Sequence, residues 1–122
     1  CAVVLGQESF DKVEMNRGVY FPKANSLSMP YGVAATQDWL LVTDTANSRL
    51  LAWKKPQSIL SLQDADADLV IGQNNFYSKG ENRDYGLPTR DSLDWSYGIN
   101  IYKNTAVIAD SGNNRVLLWK ID

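Results

Sequence analysis

The sequence contains no histidine and a single cysteine, Cys1. Without imidazole there is no Ser-His-Asp or Cys-His nucleophile, no HExxH zinc site and no ordinary acid/base group for neutral pH. One thiol makes neither an internal disulfide nor a thiolate metal cluster. No stretch approaches the roughly 18 consecutive apolar residues that a membrane helix requires. The opening residues, Cys1-Ala2-Val3-Val4-Leu5-Gly6, lack the basic start of a secretion signal. Neither sign of charge dominates, with twelve Lys+Arg against fourteen Asp+Glu and a net charge of −2. A nucleic-acid partner is therefore not expected, since that affinity comes mostly from a basic surface neutralising phosphates.

What remains is an ordinary folded composition: 122 residues, 44% apolar, 21% charged and 11% aromatic. The length argues for one domain or a piece of one. A start at Cys1 reads as a processed or excised chain. A lipid-modified N-terminal cysteine is the lesser reading, because a strand-like run begins at once where a tether would normally follow.

The chain repeats itself. Val4-Leu5-Gly6-Gln7 returns as Val70-Ile71-Gly72-Gln73, Phe10 as Phe76, Asn16-Arg17 as Asn82-Arg83 and Pro22 as Pro88. Ser26-Leu27 returns as Ser92-Leu93, Tyr31-Gly32 as Tyr97-Gly98, and Trp53-Lys54 as Trp119-Lys120. Asp44, Asn47 and Arg49 return as Asp110, Asn113 and Arg115. Every pair lies 66 positions apart, and about 17 of the 56 superposable positions are identical. Chance would give roughly one in sixteen. Unit 1 is read as residues 1–66 and unit 2, incomplete, as 67–122.

The periodicity within a unit is that of strands. In unit 1 they are predicted over 31–36, 39–43 and 50–53, with a fourth over 68–71 after a Pro56-initiated linker. Unit 2 repeats them over 97–102, 105–109 and 116–121. Residues 3–6 read as an outer strand that closes a sheet other than the one following it, for eight strands in all. No segment carries a sustained helical period with caps. Two insertions, 8–30 and 74–96, are too long for passive turns.

Four antiparallel strands per unit and one buried Trp per unit describe a β-propeller blade. The stretch Tyr31-Gly-Val-Ala-Ala, followed by Thr43-Asp-Thr-Ala-Asn-Ser-Arg-Leu-Leu-Ala-Trp53, resembles an NHL repeat. Ala109-Asp-Ser-Gly-Asn-Asn-Arg-Val-Leu-Leu-Trp119 resembles it more closely still. The Val-(Leu/Ile)-Gly-Gln-x-x-Phe segments are similar to a bacterial subgroup with enlarged blades. The departure from the commonest pattern is the length of the two insertions. The resemblance implies an all-β propeller, typically six-bladed, and no activity.

Candidate residues divide by recurrence. Asp44, Asn47, Arg49, Asp110, Asn113 and Arg115 are expected to build turns, with Gly112 in a left-handed conformation and each Arg paired to an Asp on a neighbouring unit. Gly6, Gly72, Tyr31, Tyr97, Trp53 and Trp119 are assigned the same structural role. The run Asp64-Ala-Asp-Ala-Asp68 has calcium-loop spacing but Leu69 where that loop needs Gly, and reads as a solvated linker. Residues on the loop face that do not recur are freer to serve a ligand. These are Tyr20, Tyr77, Tyr85 and Trp95, with Asn100 as the polar oddity on the innermost strand.

The sequence thus calls for a non-catalytic binding or scaffold module recognising a protein, peptide or glycan, with no catalytic residues, metal or cofactor assigned. The alternatives are a channel-metal propeller enzyme of lactonase or lyase type and a purely structural repeat. Expected partners are other copies of the chain or further blades of a parent chain. The lean in location is extracytoplasmic or secreted.

Overall fold

The computed structural model describes residues 2–121, so Cys1 and Asp122 lie outside it. The architecture is all-β, in two antiparallel sheets. Strands β1 (Pro30–Ala35), β2 (Trp39–Asp44), β3 (Arg49–Lys54) and β4 (Leu69–Ile71) form the first, in sequential order. The second contains β5 (Ile99–Tyr102), β6 (Thr105–Asp110) and β7 (Arg115–Lys120). Among the described residues there is no α-helix, only single 3₁₀ turns, and no helix long and apolar enough to cross a membrane.

Alternation along the strands sorts the side chains to two faces. In the first sheet Leu41 sits opposite Ala52 and Thr43 opposite Leu50, with Ile71 beside Leu50. This face meets the second sheet. There Ile99 lies opposite Ile108, Ile101 and Trp119 flank Ala106, and Leu117 flanks Ile108. Together they make one core in which Leu41, Leu50, Ala52, Ala106, Ile108 and Leu93 are buried. Burying a Leu- or Ile-sized side chain contributes roughly 1.5–3 kcal/mol, so this seam joins the two units firmly.

The opposite face of the first sheet carries Leu40, Val42, Leu51 and Trp53, in register. A second core forms over it from the linker residues Leu62, Ala65 and Ala67, with Leu5, Leu27 and Phe76. Trp53 is fully buried there, and its indole N–H donates to the Ala65 carbonyl at 3.0 Å. Leu5 thus stands to this core as Ile71, 66 residues later, stands to the first. The glycine that follows each turns the chain away at positive φ, +91° at Gly6 and +96° at Gly72. A Cβ at either would lie 2.6 Å from a leucine methyl, Leu27 and Leu93 respectively. The repeat is therefore preserved down to the contact.

Among the described residues seven strands form rather than eight. Residues 2–4 carry no strand ladder, because their backbone turns to the linker instead. The Val4 amide donates to Gln63 Oε1 at 3.0 Å, and the Val4 carbonyl accepts from the Asp64 amide at 3.0 Å. The segment is not paired to Leu50–Trp53, whose outer neighbour is β4.

Candidate functional site

Each sheet ends in the same polar turn, and the two turns hold the insertions in place. In unit 1, Arg49 Nε donates to Asp44 Oδ2 at 2.7 Å, and Asn47 Nδ2 donates to the same oxygen at 2.7 Å. The other Asp44 oxygen accepts from the Ser28 amide at 2.7 Å. Arg49 Nη2 then reaches the carbonyls of Lys23 and Ser26, both at 2.9 Å. In unit 2, Asp110, Asn113 and Arg115 repeat this pattern, with Arg115 Nη2 on the carbonyls of Thr89 and Ser92. The loops are tied down by side chains that recur.

Two expectations are corrected here. Each arginine pairs with the aspartate of its own turn, five positions earlier, because the hairpin register sets Asp44 opposite Arg49 and Asp110 opposite Arg115. The left-handed residues of the turns are Ser48 and Asn114, with φ of 50° and 55°, and Gly112 is not among them. Gly112 serves close approach instead: a Cβ there would lie 2.5 Å from the Asp94 carbonyl, which accepts the Gly112 amide at 2.8 Å.

Asp44 and Arg49 are both buried. Burial pushes the Asp44 carboxyl up from its ordinary range and draws the Arg49 guanidinium down, and each is partly held charged by the other. With all their partners internal, these residues organise the loops and present nothing outward.

Among the recurring residues whose role the sequence left unassigned are Asn16, Asn82, Ser26 and Ser92. Asn16 and Asn82 are buried and bond to Asn47 and Asn113. Ser26 and Ser92 donate to the same asparagines at 3.4 and 3.0 Å. Their 66-residue recurrence was the signal available for finding them. The linker aspartates are engaged as well: Asp64 pairs with Arg17, and Asp68 accepts the Lys54 amide. No group of three or more His, Cys, Asp or Glu suited to hold a metal occurs among the described residues.

On this scaffold Tyr20, Tyr77 and Tyr85 are 72%, 63% and 61% exposed. Tyr20 packs edge-on to Phe21, and Lys79 of the second insertion sits over its ring at 4.2 Å. The two insertions therefore meet, and beside their contact opens a groove of about 460 Å³ lined by Glu14, Met15, Val19, Tyr20 and Lys79. An aromatic face flanked by one acid and one base suits non-covalent recognition.

Trp95 is placed differently. It is half-buried, with its amide donating to Ser48 Oγ at 3.2 Å and its indole N–H to Glu81 at 3.1 Å. It bridges the second insertion to the turn of unit 1. Asn100 lies exposed on β5, its side chain accepting the next amide at 2.8 Å, and shares no recorded contact with the tyrosines. A scan against protein-family models matches none, and a search of curated proteins returns no relative.

Proposed function

We propose that the chain forms two blades of an NHL-type β-propeller and acts as a non-catalytic binding module. The loop face is its recognition surface, for a protein, peptide or glycan. The blade reading is supported by the two antiparallel sheets with equivalent registers 66 residues apart, stacked face to face. One observation carries the binding reading. Three exposed tyrosine rings stand on loops already fixed to the sheets by other residues, Arg49 and Arg115. Rigid aromatics with a polar tip give large contact area at low entropic cost.

The test is a screen of peptide and glycan arrays with the immobilised chain, followed by Tyr20→Ala, Tyr77→Ala and Tyr85→Ala measured singly against the best hit. At least one should weaken binding by about tenfold, the loss of a hot-spot ring. Equal affinity in all three, with circular dichroism unchanged, would move the site off this face.

A further inference from the structure

The groove between the two insertions is built from residues that the repeat does not prescribe. Glu14, Tyr20 and Ser28 have Gly80, Gly86 and Asp94 as counterparts 66 positions on, and Lys79 has Val13. In its lining only Asn16, of the joint to Asn47, recurs. Both walls come from one chain, and the volume of about 460 Å³ is that of a small-ligand cleft.

Three polar groups of this groove are open to an occupant. The Lys79 ammonium lies 4.2 Å over the Tyr20 ring and donates to the Tyr20 carbonyl at 3.4 Å, so it is held in place without a counter-charge. No ion pair among the described residues includes Lys79 or Glu14. The Glu14 carboxylate is laid against Gly18, where any Cβ would collide with it. Ser28 is only 5% exposed, and its amide and carbonyl are engaged by Asp44 and the Ala46 amide. Its hydroxyl makes no hydrogen bond among the described residues. Side chains buried to that degree are normally satisfied, so the open hydroxyl points to a ligand.

Charge and ring together select the occupant. Lys79 covers one face of Tyr20 and Phe21 stands edge-on to it at 4.8 Å, so the aromatic face on which a sugar would stack is already engaged. A polyanion would meet Lys79 but be repelled by Glu14, and a polycation the reverse. Between the two charges Met15 and Val19, 67% and 49% exposed, offer aliphatic surface. We infer that the groove binds a dipolar peptide segment, its basic side chain on Glu14, its acidic one on Lys79 and an apolar residue between them. Its backbone supplies the partner for the Ser28 hydroxyl. This rests on the loop face being the recognition surface, and names the ligand class taken there.

The probes are blocked, dye-labelled peptides in which one lysine and one glutamate flank one to three leucines, in both orders. All-lysine, all-glutamate and all-glutamine versions and maltohexaose are the comparisons, read by fluorescence anisotropy. At least one mixed-charge peptide should bind about tenfold tighter than every comparison. Lys79→Glu should shift the preference to the all-lysine peptides, and Glu14→Lys to the all-glutamate ones. The double variant should regain the mixed-charge peptides, with circular dichroism unchanged throughout. The proposal is overturned if neutral probes bind as tightly, if the single variants leave the preference unmoved, or if no peptide binds at millimolar concentration. None of these outcomes touches the loop-face reading, which falls only if array hits are indifferent to Tyr20→Ala, Tyr77→Ala and Tyr85→Ala.

Discussion

The side-chain amides of Asn16 and Asn47 face each other and exchange two hydrogen bonds, of 3.0 and 2.8 Å. Asn82 and Asn113 do the same at 2.9 and 2.7 Å. The exchange fastens a long insertion to the turn of its own sheet. Asn47→Ala leaves Asn16 and Asp44 each short of a buried partner, and the expected cost is about 1–3 kcal/mol. Asn113→Ala should cost less, because Asn113 is only half-buried. Urea unfolding of the two variants gives the comparison, and equal costs would contradict the burial argument.

Arg49→Ala leaves Asp44 buried without its cation, and should destabilise by about 3–5 kcal/mol. Arg115→Ala removes the equivalent group where solvent reaches it, so its cost should be visibly smaller. Thermal unfolding at matched concentration checks the order. Arg49→Lys is not a conservative rescue, because a point ammonium cannot serve the carboxylate and three carbonyls together.

Gly72→Ala places a Cβ 2.6 Å from Leu93, a fully buried side chain, at a φ that L residues disfavour. Strain and displaced packing should together cost about 2–4 kcal/mol. Gly86→Ala is the control, since a Cβ there meets nothing within 4 Å. A Gly72→Ala chain as stable as the control would show that Leu93 moves aside freely.

The Asp94 carboxyl is pushed up by its partial burial and by the neighbouring Glu81 and Asp110 carboxylates. A raised folded value means that its charged form opposes folding. The group is harmless below the unfolded value of 3.8 and costs stability as pH rises through the folded value. Asp94→Asn should therefore stabilise the chain at pH 7 by about a few tenths of a kcal/mol, an amount limited by solvent screening. The gain should vanish below about pH 3.5 as the parent group protonates. Melting curves across that range decide it, and a gain that persists in acid would exclude the charge explanation.

The repeat was legible because identical residues at one spacing recreate identical bonds. Asn16–Asn47 and Asn82–Asn113 are the same joint built twice. The strands followed from short apolar runs bounded by polar turns, such as Trp39–Thr43 before Asp44–Arg49, and the structure sets them near the anticipated bounds. Other features depend on what a segment finds nearby. Val4 turns its backbone to the linker at Gln63 and Asp64, a choice no local pattern encodes. Arg49 and Asp44 pair across a hairpin whose register, not their spacing alone, brings them opposite. Trp95 stood out as non-recurring, but only its bonds to Ser48 and Glu81 separate a brace from an exposed ring.

The first sheet is covered on both faces, by the second sheet on one and by the linker with Leu5 on the other, whereas the second sheet is covered on one. In amide-exchange terms this makes a gradient of protection along the chain. The β2–β3 ladder, flanked by both cores, can expose its amides only when both covers lift, and should exchange last. The β6–β7 ladder needs only local opening from its bare side. Loss of order should therefore begin at β7 and travel toward β3, so that unit 1 remains protected after unit 2 has opened.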